Sequence, residues 1–194
     1  MANIQEKVSK LFPAAAFEEG EFLQITIPDA QWHQLAKTLR DDADLSFDYL
    51  VTIVGMDWTE SLGCVYYLTS TKHGSHISVK VATTDRDNPT LHSVADLWMI
   101  AGIYEREVYD FFGIVFVNNP DMRRLFLSVD WVGYPLRKDY DEDPALNPVS
   151  IENERQEDNT FSWVEKPDGS IEKKTVPVFA EDDFVVNIGP QHPC

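Results

Sequence analysis

Apolar and polar positions along this chain recur with two different periods. From Asn3 to Phe12 the apolar residues Ile4, Val8, Leu11 and Phe12 fall at helical spacing with polar residues between them. Phe22 to Ile27 switches to strict alternation, setting Leu23, Ile25 and Ile27 against Phe22, Gln24 and Thr26, and Pro28 ends the strand this predicts. Asp29 stands where a helix N-cap is expected, ahead of an amphipathic stripe of Trp32, Leu35, Ala36 and Leu39. Tyr49 to Trp58 is so rich in apolar and β-branched residues that it predicts a strand buried on both faces. Leu62–Thr71 and His76–Ala82 form the two arms of an expected antiparallel hairpin turning at Lys72-His73-Gly74-Ser75. In its second arm Ile77, Val79 and Val81 oppose Ser78 and Lys80, so one sheet face should be packed and the other partly wet.

Asn88-Pro89 has the form of a helix start, with Asn88 as cap and Pro89 in the first turn. Gly102 is expected to interrupt that helical region before a second helix ending at Gly113, followed by a brief strand from Ile114 to Val117. Beyond Asp139 no periodicity is sustained. The order of elements is that of an α+β fold: a two-layer α/β sandwich on a mixed sheet of about five strands, with an extended acidic C-terminal tail. The expected division is an α+β domain over 1–140, an acidic arm or linker over 141–183, and a separate short region over 184–194. No internal repeat is present.

Charge sharpens that division. The 194 residues carry a formal net charge of −17, and Asp139 to Asp183 alone holds 14 acidic against 4 basic residues. A chain so acidic, without clustered Lys and Arg, is a poor match for nucleic acid. Its 43% hydrophobic content supports a real core, and no apolar run approaches the roughly 20 residues of a membrane span. Nor does the N-terminus show a basic stretch followed by an apolar one, as a secretory signal would. Cys64 and Cys194 are too few and too far apart for an iron–sulfur cluster or a CxxC motif, which favours a reduced, cytoplasmic setting. His33, His73, His76 and His92 lack ligand spacing, so no metal site is expected, and no nucleophile elbow or phosphate loop occurs.

Candidate chemistry concentrates between Glu105 and Tyr140. On a helical wheel Ile100, Ala101, Tyr104, Val108, Phe111 and Phe112 share one arc, while Arg106 and Asp110 lie opposite at i, i+4, placed for an ion pair. Glu105 and Glu107 flank the apolar arc. Two carboxylates at i and i+2 project about 200° apart, so they do not converge on a substrate and read as boundary residues bonded to arginine or backbone groups. No catalytic residue is therefore assigned. Asp121 and the pair Arg123-Arg124 follow the turn signal Asn118-Asn119-Pro120. The arginines could bind a phosphate, pair internal carboxylates including Glu105 and Glu107, or dock a partner's acidic surface. Trp131, Tyr134, Arg137 and Lys138 combine aromatics and bases in the manner of protein interfaces. An exposed Trp131–Tyr134 patch would mark an interface and a buried one would be core.

These residues carry a family resemblance. The runs Glu105-Arg106-Glu107-x-x-Asp110-x-x-Gly113-Ile114, Pro120-Asp121-x-Arg123-Arg124 and Asp130-Trp131-x-Gly133-x-Pro135-Leu136-Arg137-Lys138-Asp139 resemble the signature of the 30-kDa-type (C-type) subunit of respiratory NADH:quinone oxidoreductase, complex I. Asn119 departs from that pattern, standing where histidine or lysine is usual, and Phe126 replaces a smaller aliphatic residue. The likeness covers roughly residues 1–140. A second one follows: Phe184 to Pro193 looks like the opening of the 49-kDa-type (D-type) subunit, which suggests a fused C–D polypeptide.

The resemblance implies a non-redox assembly subunit of the peripheral arm, on the cytoplasmic side of the membrane, touching the membrane only through the complex. It would hold no cofactor, the iron–sulfur clusters, FMN and quinone lying in the assembled complex. Its partners would be the D-type subunit and the iron–sulfur subunits, with His192 in the neighbourhood of the quinone site of the full protein. Glu105, Arg106, Glu107, Asp110, Asp121, Arg123, Arg124, Trp131, Tyr134, Arg137 and Lys138 would form the signature and interface. Two alternatives stand beside this: the equivalent domain of a complex-I-related membrane-bound hydrogenase, and a stand-alone acid/base enzyme using Glu105 or Glu107.

Overall fold

The structure is a computed structural model that describes residues 2–141 and 159–177. The region 184–194, with His192, lies outside the described residues. Among those described, twelve elements run in the order α1 (Ala2–Leu11), β1 (Ala16–Glu18), β2 (Leu23–Thr26), α2 (Asp29–Asp41), β3 (Tyr49–Asp57), β4 (Leu62–Ser70), β5 (Ser75–Thr83), β6 (Thr90–His92), α3 (Ala101–Phe112), β7 (Val115–Val117), β8 (Asn159–Glu165) and β9 (Ile171–Pro177). A five-stranded mixed sheet is ordered β1-β2-β5-β4-β3, parallel only where β2 meets β5. That is the expected sandwich.

One face of this sheet is the core. Leu23, Ile25, Leu62, Cys64, Tyr66, Leu68, Ile77, Val79 and Val81 are buried there beneath the apolar stripes of α1 and α2. Trp32 of α2 lies on Tyr66 of β4 with ring centroids 4.4 Å apart. α3 covers the same face at β3, where Gly55 makes room: a Cβ there would come within 2.6 Å of the Phe112 ring. The opposite face carries the polar alternates Gln24, Thr26, Ser78 and Lys80.

Four local expectations fail, each for an identifiable reason. β3 is not buried on both faces, because it forms the sheet edge: Tyr49 is 57% exposed and Val51 44%, the latter at a bulge between Leu50 and Thr52. Asp29 does not cap α2, whose N-cap is Pro28 without a side-chain bond. Its carboxylate instead accepts from the backbone of His92 at 2.8 Å and meets the His92 ring at 2.7 Å. Asn88-Pro89 opens a strand, not a helix. The Pro89 carbonyl accepts Val115 N–H, and β6 runs parallel to β7. Leu91, Val94 and Trp98 are all buried at helix-like spacing, yet only the last two belong to turns. Gly102 does not break α3, which passes through it from Ala101; the stop is Gly113, in the left-handed region at φ 71°.

Weak periodicity after Asp139 conceals a hairpin. β8 and β9 pair in register from Asn159↔Pro177 to Glu165↔Ile171 around Gly169, and β8 meets β7 at Val117↔Trp163, giving a second sheet ordered β6-β7-β8-β9. Glu165 bonds His92 at 3.2 Å and Trp163 packs on Tyr109 at 5.9 Å.

Candidate functional site

The signature segment is built around two carboxylates of α3 that point inward. Asp110 is fully buried. It accepts from Arg124 Nη1 at 2.8 Å and from three successive backbone N–H groups, Leu125 at 3.1 Å, Phe126 at 2.7 Å and Leu127 at 2.9 Å. Arg124 also donates to the carbonyls of Asp110 and Trp131. One side chain thus folds the loop from 124 to 131 onto the helix. The expected Arg106–Asp110 pair does not form. Arg106 donates to the carbonyls of Arg123 and Arg124 at 2.9 Å each and lies 3.5 Å from Asp121, because the two residues leave α3 toward different parts of the following loop.

Glu105 is equally buried but has no cation. Its carboxylate accepts from Ser93 Oγ at 2.6 Å, Val94 N–H at 2.8 Å and Asn119 Nδ2 at 2.7 Å. Burial pushes its pKa up to about 7 against the opposing pull of these three bonds. The expected pairing of Glu105 with Arg123 or Arg124 is therefore replaced. Arg124 is engaged by Asp110, and Arg123 by Asp121 through bonds of 2.8 and 3.0 Å. Asn119, the position that departs from the family pattern, is the residue that closes this cluster; its Oδ1 accepts Asp121 N–H. Glu107 faces the other way and lines a cleft of about 200 Å³ with Thr52, Gly55, Phe111 and Leu136.

A third network ties the end of the segment to the sheet. Arg86 grips Asp57 with bonds of 2.8 and 3.0 Å and Asp139 with one of 2.9 Å. The Arg86 guanidinium holds the Asp57 carboxyl well below the usual carboxylate range. Lys138 N–H also donates to Asp57, Lys138 Nζ reaches Thr59, and Arg137 donates to the carbonyls of Phe112 and Arg86. Tyr134 sits beside Arg137, 4.8 Å from the ring centroid, and covers Gly113, where a Cβ would meet its ring at 2.4 Å. Trp131 and Tyr134 are both half-buried, so they belong to the scaffold more than to an exposed patch. Among the exposed residues are four large apolar ones: Phe126 at 64%, stacked on Phe111, with Val129, Val132 and Leu136.

Sequence reasoning does not single out Asp57, Arg86 or Ser93, and it marks Asn119 only as part of a turn signal and as a departure from the family pattern. A lone acid ending the apolar β3 run is a usable signal for Asp57; Ser93 offers none. His73 and His76 do not converge, meeting Ala43 O and Thr69 Oγ1 respectively. Among the described residues no three His, Cys, Asp or Glu side chains gather as a metal site, and no helix is long and apolar enough to cross a membrane.

Residues 25–145 match the family described as respiratory-chain NADH dehydrogenase, 30 Kd subunit. This chain belongs to that family. Among its relatives, the C/D subunit of NADH-quinone oxidoreductase from Bacteroides thetaiotaomicron is 44% identical over 89% of this chain and 34% of its own length. Its counterpart from Phocaeicola vulgatus is 48% identical over 88% and 32%. The chain thus spans about a third of the length of these C/D relatives. The C-type subunit of NADH-quinone oxidoreductase from Chlorobium phaeobacteroides is 40% identical over 71% of this chain and 85% of its own. A chain in the structure of the membrane-bound sulfane sulfur reductase, an archaeal respiratory membrane complex, shares the fold, with TM-score 0.59 and 22% identity over 80% of this chain and 95% of that one.

Proposed function

We propose that this chain is the non-redox 30-kDa-type part of the peripheral arm of an NADH:quinone oxidoreductase, joined to a D-type part. In this reading it holds the neighbouring subunits in place on the cytoplasmic side of the membrane. Electrons then pass from NADH through FMN and iron–sulfur clusters to quinone, coupled to ion translocation, with every redox group held by other parts of the complex. The observation that carries the reading is how the signature spends its charges. Asp110, Arg124, Arg106, Asp121, Arg123, Arg137 and Asp139 bond one another and the backbone, and the loop they fix turns Phe126, Val129, Val132 and Leu136 outward. A rigid loop presenting apolar residues is suited to docking, because little ordering is left to oppose binding. The C/D relatives supply the D-type part as the first partner.

A stand-alone acid/base enzyme is poorly served by this geometry. Glu105 is sealed by its three donors, and among the described residues Glu107 shares its cleft with no second acid or base, only the Thr52 hydroxyl. The test is isolation of the full-length gene product from its own cells. A gene product that carries a D-type sequence and brings down an iron–sulfur protein, the latter lost in Phe126→Asp with Leu136→Asp, is the expected result. Recovery of neither partner overturns the reading, and recovery with a hydrogenase large subunit transfers it to that related complex.

A further inference from the structure

The uncovered face of the five-stranded sheet carries a groove far from the signature loop in sequence. Its floor is a trough of about 410 Å³ lined by Phe22, Val51, Thr52, Tyr67, Thr69 and His76, and its exposed surface is almost wholly apolar. The bulge at Val51 and the stacking of Phe22 edge-on to Tyr67 and His76, with centroids 6.3 and 6.0 Å away, shape this trough. Over Phe22 and Tyr67 it runs into a second depression bordered by Glu18, Glu19, Glu21 and Gln24. The three glutamates are exposed, and none of their carboxylates has a hydrogen-bond or ion-pair partner among the described residues. An apolar slot that opens onto three uncompensated carboxylates is an amphipathic surface with a defined polarity.

We infer that this groove receives a basic–apolar segment of another polypeptide, with an aliphatic or aromatic side chain in the trough and lysine or arginine over Glu18, Glu19 and Glu21. Charge selects this occupant over the alternatives. The rest of this chain is unsuited, since 142–158 has six acidic residues against one arginine and 178–194 has three acidic residues with no lysine or arginine. A second copy would bring these same 194 residues, of net charge −17, and their own three glutamates against the same rim. Like charges brought together at an interface suppress association, whereas an opposite-charge segment is attracted and oriented.

The groove meets the Phe126–Leu136 face only through Thr52, so residues away from that border probe the two surfaces separately. Val51 and Gln24, and for comparison Phe126, are each replaced by photoreactive benzoylphenylalanine in the full-length protein, and the assembled complex is irradiated and its adducts sequenced. The expected result at Val51 and Gln24 is one adduct partner, a different polypeptide whose crosslinked peptide pairs apolar residues with lysine or arginine. Its yield should fall at least tenfold in E18K/E19K/E21K while the Phe126 adduct persists. Adducts to a second copy, to a peptide without basic residues, or none at the groove while Phe126 still crosslinks, would overturn the proposal. So would adducts indifferent to the charge reversal. Loss of the Phe126 adduct alone speaks against the scaffold reading and leaves the groove result standing.

Discussion

Glu105 and Asp110 are five residues apart on α3, equally sealed from solvent, and held in unlike ways. Asp110 meets a guanidinium and three backbone donors. Glu105 meets three donors of which none is charged. The contrast shows what hydrogen bonds do and do not accomplish for a buried acid. They satisfy the lone pairs of Glu105 yet do not offset its desolvation, so its pKa rises to about 7. A cation beside Asp110 adds a Coulomb partner and fixes the loop from 124 to 131 at the same time. Glu105 instead joins three segments, the Ser93–Val94 turn, α3 and the Asn119 turn, with a group whose charge varies in the neutral range.

Removing the cation-paired acid should cost most. Asp110→Asn leaves Arg124, only 12% exposed, without a counter-charge and withdraws an acceptor shared by three N–H groups. Breaking a buried pair in this way costs roughly 3–5 kcal/mol. Chemical denaturation at neutral pH should register that loss, and the Phe111–Phe126 stack should open with it. A loss below about 1 kcal/mol would mean the charge pair is not what seats the loop.

Glu105 should show itself through pH. Its folded pKa lies above the ordinary value of 4.5, so its contribution to stability is fully present below pH 4.5 and is lost as pH rises through about 7. At 1.36 kcal/mol per pKa unit the loss is roughly 3 kcal/mol across that window. Glu105→Gln should flatten the slope between pH 4.5 and 7 whatever it does to the baseline. Two other groups titrate mainly outside the window, His92 overlapping it only between pH 6.5 and 7. Asp29 beside it, with Glu165, raises His92 to about 9, so stability from that contact persists below 6.5 and is lost toward 9. The depressed Asp57 contributes above its ordinary 3.8 and loses its share only as pH falls below that. An unchanged slope in Glu105→Gln would refute the assignment.

Asn119→His would convert one carboxylate environment toward the other. It places a titratable cation where Asn119 Nδ2 now lies 2.7 Å from Glu105. An opposite charge at that range lowers an acid's pKa by about 1–3 units. The midpoint of the stability–pH curve should therefore move below about 6, read by the same denaturation series. No movement would show that Asn119 acts only as a spacer.

How much of this is legible in the sequence depends on what kind of contact is involved. Helices α1 and α2, the β4–β5 hairpin, the Gly113 stop and the mixed sheet of five strands follow from local periodicity and turn chemistry, and the structure agrees. Position in the sheet is not local: β3 has the composition of an interior strand and lies at an edge. A helical wheel sets Asp110 outside because it gives α3 a single buried face, but the returning loop buries a second. The Thr90–His92 strand takes its pairing from β7, a partner that short-range pattern does not contain, and the 159–177 hairpin, though locally paired, joins the second sheet only through Val117↔Trp163. Acids and arginines between 105 and 139 are legible as a pairing device, while their particular pairings depend on long-range closure, as Arg86 reaching both Asp57 and Asp139 makes plain.

The third carboxylate of α3 supplies the smallest expected effect and the sharpest control. Glu107 lies two residues from Glu105 on the half-buried outer side of the helix, in the cleft with Thr52 and Leu136, and makes no hydrogen bond or ion pair among the described residues. Glu107→Gln should change stability by no more than about 0.5 kcal/mol, as is usual for a side chain with no buried partner. If instead it cost several kcal/mol, as Asp110→Asn should, place on α3 and not the buried partner would set what a carboxylate of this helix is worth. The contrast between Glu105 and Asp110 would then lose its basis in what each of them meets.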